Sequence, residues 1–394
     1  MSHWRTTRIG FGIWALFTLL TCTFGRGQAF AKGYGQPEVT AASALVMEWS
    51  TGTVLYEKNA HVPRHPASLT KIMTALVALE RGYLGEVVTV SEAAAYETGS
   101  AMGLVPGACY TLEDLLYGAL LPSGNDACVA IAEHVGGSVE KFVRMMNQRA
   151  LELGALNTQF RNPHGLTQEG HYTTAYDLAL IARYAMRLPI FRQIVATAQY
   201  EAWRLDKLLP HQVSSTNRLL WSYPGAEGVK TGTTAAAGAC LIAAATRDGV
   251  RYLSVVMDSL DRWQDTMKLL SWAFEEFSFV PSARGSVDAG TCSVVRGTKT
   301  QVPTVVELPW GWPVPRENSG SCPPLHFQVL LAAATPAPIK RGEELGKLVV
   351  KTATDVIDVR PVYAGRDVGE RRFGSFLLRA ACWLLSVMAK AALG

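Results

Sequence analysis

The chain lacks the sequence patterns that hold metal ions, and it has no long run of charge of one sign. None of its seven cysteines forms a Cys-x-x-Cys pair, and no His-Glu-x-x-His motif is present. The sequence therefore predicts neither a metal site nor a cofactor. The 37 basic and 33 acidic residues leave a formal net charge of only +4, without clustering in the body of the chain. We therefore expect no nucleic-acid partner.

The composition is that of a large globular chain. Of its 394 residues, 48% are hydrophobic, so the chain can bury a substantial core, and we expect two folded domains. The cysteines Cys292 and Cys322 bracket a short downstream segment, and they could form a disulfide in an oxidising compartment. Two buried free thiols are the alternative.

Residues 1–31 have the features of an export signal. Arg5 and Arg8 precede an apolar stretch from Ile9 to Phe24, and Ala29-Phe30-Ala31 is the small-x-small pattern that signal peptidase recognises. We expect cleavage after this pattern and an exported mature protein. An uncleaved membrane anchor is the alternative, because the apolar stretch is almost long enough to cross a bilayer.

Three short motifs occur in one order along the chain. They are Ser68-Leu69-Thr70-Lys71, Ser123-Gly124-Asn125 and Lys230-Thr231-Gly232-Thr233. Together they supply a nucleophile with an adjacent amine, a second hydroxyl with an amide, and a cation beside a glycine on a strand. Acyl transfer to a substrate that bears a free carboxylate requires this set of groups.

The local context separates the first motif from a second Ser-x-x-Lys sequence. Ser68 opens an apolar run at helical spacing, so its hydroxyl lies at the positive end of a helix, and Lys71 follows one turn later on the same face. Ser138-Val139-Glu140-Lys141 follows two glycines and is typical of an ordinary helix cap. Ser215-Thr216-Asn217 repeats the second motif without a comparable context.

The predicted elements form an α+β fold. Residues 44–48 and 53–57 predict a hairpin, and helical periodicity dominates from 68 to about 187, with Pro122 ending a helix just before Ser123. Strands over 229–234, 238–246 and 251–257 and a closing helix over 262–277 follow. This order predicts an antiparallel sheet with helices on it and an inserted, mainly helical subdomain.

The motifs resemble those of a known family. Residues 66–74, 121–127 and 228–234 are similar to the three active-site blocks of the penicillin-recognising serine peptidases, specifically the D-alanyl-D-alanine carboxypeptidases of the low-molecular-mass penicillin-binding protein 5 type. Asn162-Pro163-His164-Gly165-Leu166 resembles a fourth segment of these enzymes. The resemblance implies a β-lactamase/transpeptidase-like catalytic domain, activity on peptidoglycan stem peptides that end in D-Ala-D-Ala, and acylation by β-lactam antibiotics.

The resemblance also implies catalytic roles. Ser68 would attack the carbonyl of the penultimate D-Ala, with Lys71 as the hypothetical general base, and Ser123 would relay a proton to the leaving amine. An ordinary lysine is almost fully protonated at neutral pH. We therefore expect burial and the charge of Lys230 to lower the pKa of Lys71.

The remaining implied roles concern substrate binding. Asn125 would hold the substrate amide, and Lys230, Thr231 and Thr233 would hold the terminal carboxylate. The N–H groups of Ser68 and Thr233 would form the oxyanion hole. Gly232 would let the substrate backbone approach the strand closely, since a side chain at this position would block it.

Two other functions remain as alternatives. A class A β-lactamase would have Asp in place of Gly124 and a Glu-x-x-Leu-Asn loop, and the nearest sequence here, Glu152-Leu153-Gly154-Ala155-Leu156-Asn157, is one residue out of register. A non-catalytic cell-wall-binding protein on the same fold would be expected to have broken motifs, and these motifs are intact. Secondary transpeptidase or endopeptidase activity would use the same three motifs.

We divide the chain into four segments: a signal peptide (1–31), a serine DD-peptidase catalytic domain (32–282), a small β-sandwich domain (283–366) and an amphipathic helix (367–394). In the third segment, Trp310 and Trp312 stand among prolines, so we expect them to serve local packing rather than glycan binding. In the last, arginines and one lysine share an arc opposite an apolar face, which favours a helix lying on the membrane surface at the extracytoplasmic face. Packing of this helix onto the protein is the alternative.

Overall fold

The chain folds into a mixed region of helices and strands followed by a region of strands. The computed structural model describes residues 35–282, 285–309, 311–316, 324–352 and 356–371. The helices are α1 (Lys71–Arg81), α2 (Glu92–Ala95), α3 (Leu112–Leu120), α4 (Asn125–Gly136), α5 (Val139–Glu152), α6 (Ala175–Ala185), α7 (Pro189–Ala196), α8 (Leu219–Ser222) and α9 (Arg262–Glu276). The strands of the mixed region are β1 (Ser43–Glu48), β2 (Val54–Lys58), β3 (Val87–Thr89), β4 (Cys109–Thr111), β5 (Gln199–Arg204), β6 (Leu209–Ser214), β7 (Ala226–Thr234), β8 (Gly238–Arg247) and β9 (Val250–Ser259).

A five-stranded antiparallel sheet in the order β2-β1-β9-β8-β7 lies at the centre of the mixed region. The middle strands are apolar and buried on both faces, because helices cover both. On one face α6 packs against β1 and β9, and on the other α9 packs against β8 and β9. The predicted hairpin, the three predicted strands and the closing helix are confirmed, and β7 lies at the edge of the sheet.

The chain between β2 and β7 forms the predicted helical subdomain, and polar side chains cap four of its helices, α2, α3, α5 and α6. Thr111 forms a capping box with Asp114 at the start of α3, and Thr174 caps α6. The Ser138 side chain accepts a hydrogen bond from the N–H of Lys141 at 3.3 Å, which confirms that the second Ser-x-x-Lys sequence is a helix cap.

In the second region, all the regular elements within the described ranges are strands. They are β10 (Phe277–Pro281), β11 (Gly285–Val295), β12 (Gln301–Leu308), β13 (Gly311–Pro315), β14 (His326–Leu331), β15 (Thr335–Pro336), β16 (Glu344–Lys351) and β17 (Val356–Ala364). A six-stranded sheet in the order β14-β16-β17-β12-β11-β15 is accompanied by the pair β10-β13. Trp312 is fully buried and its Nε1 donates to Asp358 at 2.7 Å, so this tryptophan serves local packing, as predicted.

One apolar cluster joins the two regions. Strand β10 follows α9 without an intervening loop and pairs with β13. The cluster extends from Leu269 and Phe277 to Trp312, Val350 and Val362. The second region is therefore packed onto the α9 side of the central sheet.

Several predicted features lie outside the described residues. These are the signal segment, Trp310, Cys322 and residues 372–394. The prediction that the terminal helix begins at 367 is wrong, because Val368 and Glu370 form strand bridges with Ile339 and Gly297. Cys292 is a buried free thiol, and its Sγ donates to the carbonyl of Ala332 at 3.5 Å. Over the ranges that the structure describes, no helix has the length and apolarity needed to span a membrane.

Candidate active site

The predicted nucleophile lies on a tight turn against the edge strand of the sheet. Ser68 belongs to the 3-10 turn Ala67–Thr70, which leads directly into α1. Ala67 has a φ of +48°, and the Thr70 hydroxyl donates to the Ala67 carbonyl at 2.9 Å. A positive φ costs conformational free energy in a residue that has a Cβ. Such backbone strain is typical of functional sites.

Because Gly232 has no side chain, the turn Ala67–Thr70 can lie close to β7. A Cβ on Gly232 would lie 3.0 Å from the Ser68 nitrogen and 3.1 Å from the Ala67 Cβ. From the sequence, we expect this glycine to make room for the substrate backbone. In the structure, the group that approaches it closely is the chain segment of the nucleophile itself.

Lys71 is completely buried beside Ser68, at the distance that the first motif predicts. Its Nζ donates to Ser68 Oγ at 3.0 Å, to Asn125 Oδ1 at 2.7 Å and to the His164 carbonyl at 2.7 Å. Burial lowers the pKa of Lys71 to about 8, against opposing contributions from nearby acidic groups and the Cys128 thiol. Burial is therefore the cause that lowers the pKa, as expected. The Lys230 charge, expected as a second cause, does not contribute to the shift of Lys71, because the pKa of Lys230 is itself held well below its usual value.

The second motif supplies the hydroxyl of Ser123 and the side-chain amide of Asn125, which already forms hydrogen bonds within the protein. Ser123 follows Pro122 with a φ of +69°, and its buried Oγ has no hydrogen-bond partner among the described residues. Asn125 begins α4 and uses its Oδ1 for Lys71, while its Nδ2 donates to the Thr98 carbonyl at 2.5 Å. One N–H of the Asn125 amide thus remains for a ligand.

The third motif lies on β7, where the edge of the sheet faces the turn. Lys230 is buried, and its Nζ donates to the Thr231 carbonyl at 3.1 Å. Burial first, and then the charge of Lys71, hold the pKa of Lys230 well below its usual value. The structure therefore brings all three motifs together around Ser68.

Two residues that the sequence analysis does not identify complete this edge. Arg262 at the start of α9 donates from Nη1 to the Gly232 carbonyl at 2.7 Å and to Thr233 Oγ1 at 2.8 Å. The Thr216 hydroxyl lies 2.6 Å from the Thr231 hydroxyl. Arg262 has no motif around it, whereas Thr216 belongs to the tripeptide that repeats the second motif and could have been examined for that reason.

The segment 162–166, which resembles a fourth block of the family, lies next to the nucleophile. The Thr74 hydroxyl donates to the Pro163 carbonyl at 2.5 Å, and the Gly165 N–H donates to Asn162 Oδ1 at 2.7 Å. Gly165 has a φ of +95°, and a Cβ there would come within 1.8 Å of the Ala67 carbonyl oxygen. Only glycine fits at this close approach.

The described ranges contain no group of three or more His, Cys, Asp or Glu side chains arranged to hold a metal ion. Glu152, from the sequence closest to a β-lactamase loop, lies at the end of α5 and pairs with Arg149 at 3.0 Å. Asp177 accepts hydrogen bonds from the Asn157 N–H and the Thr158 hydroxyl, so it is a structural residue.

Comparison with known proteins agrees with this geometry. Residues 31–260 match the family peptidase S11, described as D-alanyl-D-alanine carboxypeptidase, and residues 281–370 match the C-terminal domain of penicillin-binding protein 5. The chain is 36% identical over 379 residues to the D-alanyl-D-alanine carboxypeptidase DacF of Bacillus subtilis, covering 92% of this chain and 96% of the relative.

Solved structures show the same similarity. Penicillin-binding protein 5 from Haemophilus influenzae superposes with a TM-score of 0.74 at 30% identity, covering 86% of this chain and all of that one. The DD-transpeptidase of Streptomyces K15 superposes with a TM-score of 0.58 at 35% identity, covering 61% of this chain and 99% of that one. The chain therefore belongs to the peptidase S11 family of D-alanyl-D-alanine carboxypeptidases.

Proposed function

We propose that this protein is a serine D-Ala-D-Ala carboxypeptidase that removes the terminal D-alanine from peptidoglycan stem peptides, and that β-lactams acylate it at Ser68. The observation that carries the proposal is the 3.0 Å contact between Ser68 Oγ and Lys71 Nζ, with Lys71 fully buried and its pKa lowered to about 8. A lysine in this state can accept the proton of a serine hydroxyl.

The first half of the reaction forms an acyl-enzyme. Neutral Lys71 takes the Ser68 proton as Oγ attacks the carbonyl of the penultimate D-Ala. The oxyanion then faces the N–H groups of Ser68 and Thr233. When the peptide bond breaks, the Ser123 hydroxyl passes its proton to the D-alanine amine and receives the proton that Lys71 holds, so Lys71 is neutral again. Water then attacks the ester while Lys71 takes its proton, and this proton passes to Ser68 Oγ as the ester bond breaks.

The substrate lies between β7 and Asn125. Among the described strands, none pairs with the outer side of β7, so an extended peptide can pair there with its backbone groups. The terminal carboxylate lies near Lys230, Thr231 and Thr233. Arg262 adds a second cation here, because its Nη2 and Nε have no hydrogen-bond partner within the described chain.

Other parts of the chain have separate proposed roles. The signal segment would export the enzyme, and the predicted terminal helix, beyond Arg371, would hold it on the extracytoplasmic membrane surface. The domain over 283–366 would act as a spacer or bind a partner. Truncation after Arg371 should then release a soluble, active enzyme, whereas release of the full chain by salt alone would contradict hydrophobic insertion.

Mass spectrometry with penicillin tests the catalytic proposal, together with D-Ala release from diacetyl-Lys-D-Ala-D-Ala. We expect a stable adduct on Ser68, D-Ala release, and loss of both in Ser68→Ala. Rapid drug turnover without an adduct would indicate a β-lactamase. Absence of both signals would indicate a non-catalytic wall-binding protein. Added amine acceptors would reveal transpeptidation, which is the activity named for the Streptomyces K15 structure.

A further inference from the structure

A carboxylate lies at the rim of the site and has no part in the chemistry proposed above. Glu97 follows α2, and 25% of its side chain is exposed. Its Oε1 accepts hydrogen bonds from the Thr98 N–H at 2.9 Å and the Thr98 hydroxyl at 3.3 Å. Its Oε2 accepts no hydrogen bond from any residue that the structure describes, and His164 Nε2 lies 3.6 Å away.

His164 does not neutralise this carboxylate. Burial, followed by the charge of Lys71, lowers the pKa of His164 to about 3, so its ring is uncharged at neutral pH. In the described part of the chain, no lysine or arginine nitrogen lies within 4 Å of the Glu97 carboxylate. The Glu97 carboxylate therefore has no cationic partner among the residues whose positions the structure gives.

The loop that carries Glu97 is fixed beside Asn125. The Asn125 side chain donates to the Thr98 carbonyl at 2.5 Å, and its backbone N–H donates to the Ser100 carbonyl at 2.7 Å. The Glu97 carboxylate also raises the pKa of Lys71, so its charge acts within the site. Glu97 thus lies on the side of the cleft where the amide of the acyl donor is expected to bind.

The charges of the cleft are therefore separated. Lys230 and Arg262 lie where the terminal carboxylate of the substrate is expected, and Glu97 lies on the Asn125 side. We propose that Glu97 selects acyl donors in which the residue before the D-Ala-D-Ala dipeptide carries a free side-chain amine. This specificity rests on the proposed function, because it concerns the same cleft and the same reaction.

Two peptides that differ by one acetyl group test the proposal. The measurement is kcat/KM for D-Ala release from Nα-acetyl-Lys-D-Ala-D-Ala and from its Nε-acetylated form. We expect the wild-type enzyme to favour the free amine about fivefold, as for a partly exposed ion pair. Glu97→Gln should abolish the preference, measured as the ratio of the two rates in the same variant, because loss of the charge also acts on the pKa of Lys71 and therefore changes both rates alike. Glu97→Asp should retain part of the preference.

Charge and salt provide the controls. Glu92→Gln removes the same charge from the nearby exposed helix α2 and should keep the preference. Raising the ionic strength to about 1 M should weaken the wild-type preference, because the pair is exposed to solvent. A preference that does not respond to salt would contradict an ion pair.

The remaining outcomes are distinct. Equal rates on both peptides for the wild type, or a preference that survives in Glu97→Gln, would overturn the assignment. Equal loss on both peptides in Glu97→Gln, with accumulated acyl-enzyme, would place Glu97 in deacylation and would also overturn it. If neither peptide released D-Ala from the wild type, both the specificity and the proposed carboxypeptidase activity would be refuted.

Discussion

The pKa of Lys71 predicts how the acylation rate depends on pH. A lysine with the ordinary pKa of 10.5 is about 0.03% neutral at pH 7, whereas one with a pKa of about 8 is about 10% neutral, a gain of roughly 300-fold in available base. Only the neutral amine accepts the Ser68 proton. The acylation rate should therefore rise about tenfold per pH unit below 8 and level off above it.

Acylation by a fluorescent penicillin under pseudo-first-order conditions is the suitable assay, because it measures attack by Ser68 without deacylation. The second-order rate constant should be followed from about pH 5.5 to 9.5, with far-UV circular dichroism to show that the protein stays folded. A flat profile between pH 6 and 9, or a midpoint below about 6.5, would refute Lys71 as the base. Lys141→Gln, which removes an exposed lysine of α5, should not shift the midpoint.

Three substitutions test other parts of the structure. Arg262→Gln should lower kcat/KM for the peptide about tenfold or more, since it removes a charge-assisted contact with the carboxylate, and an unchanged value would contradict that role. Gly165→Ala should lower the free energy of unfolding by more than about 2 kcal/mol, because of the 1.8 Å contact with Ala67, and a thermal unfolding midpoint equal to that of the wild type would show that the segment adjusts freely. Ser138→Ala should cost about 1 kcal/mol of stability through loss of a helix cap, with penicillin acylation unchanged, and a loss of acylation would contradict its structural assignment.

The sequence predicts the central sheet well because its signals are local and strong. The apolar runs of β8 and β9 are separated by Asp248-Gly249, and Asp261 caps α9. Elements whose local pattern is interrupted are harder to predict. The hairpin β5-β6 contains Pro210 and several charged residues, so its pattern does not alternate, and β17 is interrupted by Pro361.

The candidate site is predicted in its motifs but not in its long-range partners. The spacing of Ser68 and Lys71 fixes their contact, because one helical turn separates them. Arg262 reaches the site only because α9 packs against β8, and Glu97 reaches it only because a loop folds over α4. Contacts of this kind depend on tertiary packing, and no periodicity or spacing in the chain encodes them.

Ala67 and Ser123 both have left-handed backbone conformations although neither is a glycine. Glycine would adopt these conformations more easily, but it would also give the empty cleft many alternative backbone states. With side chains at both positions, the conformational entropy is lost when the chain folds rather than when the substrate arrives. The two segments that carry the Ser68 and Ser123 hydroxyls are then already ordered before a short peptide binds. Ordering them therefore does not reduce the affinity of the enzyme for the peptide.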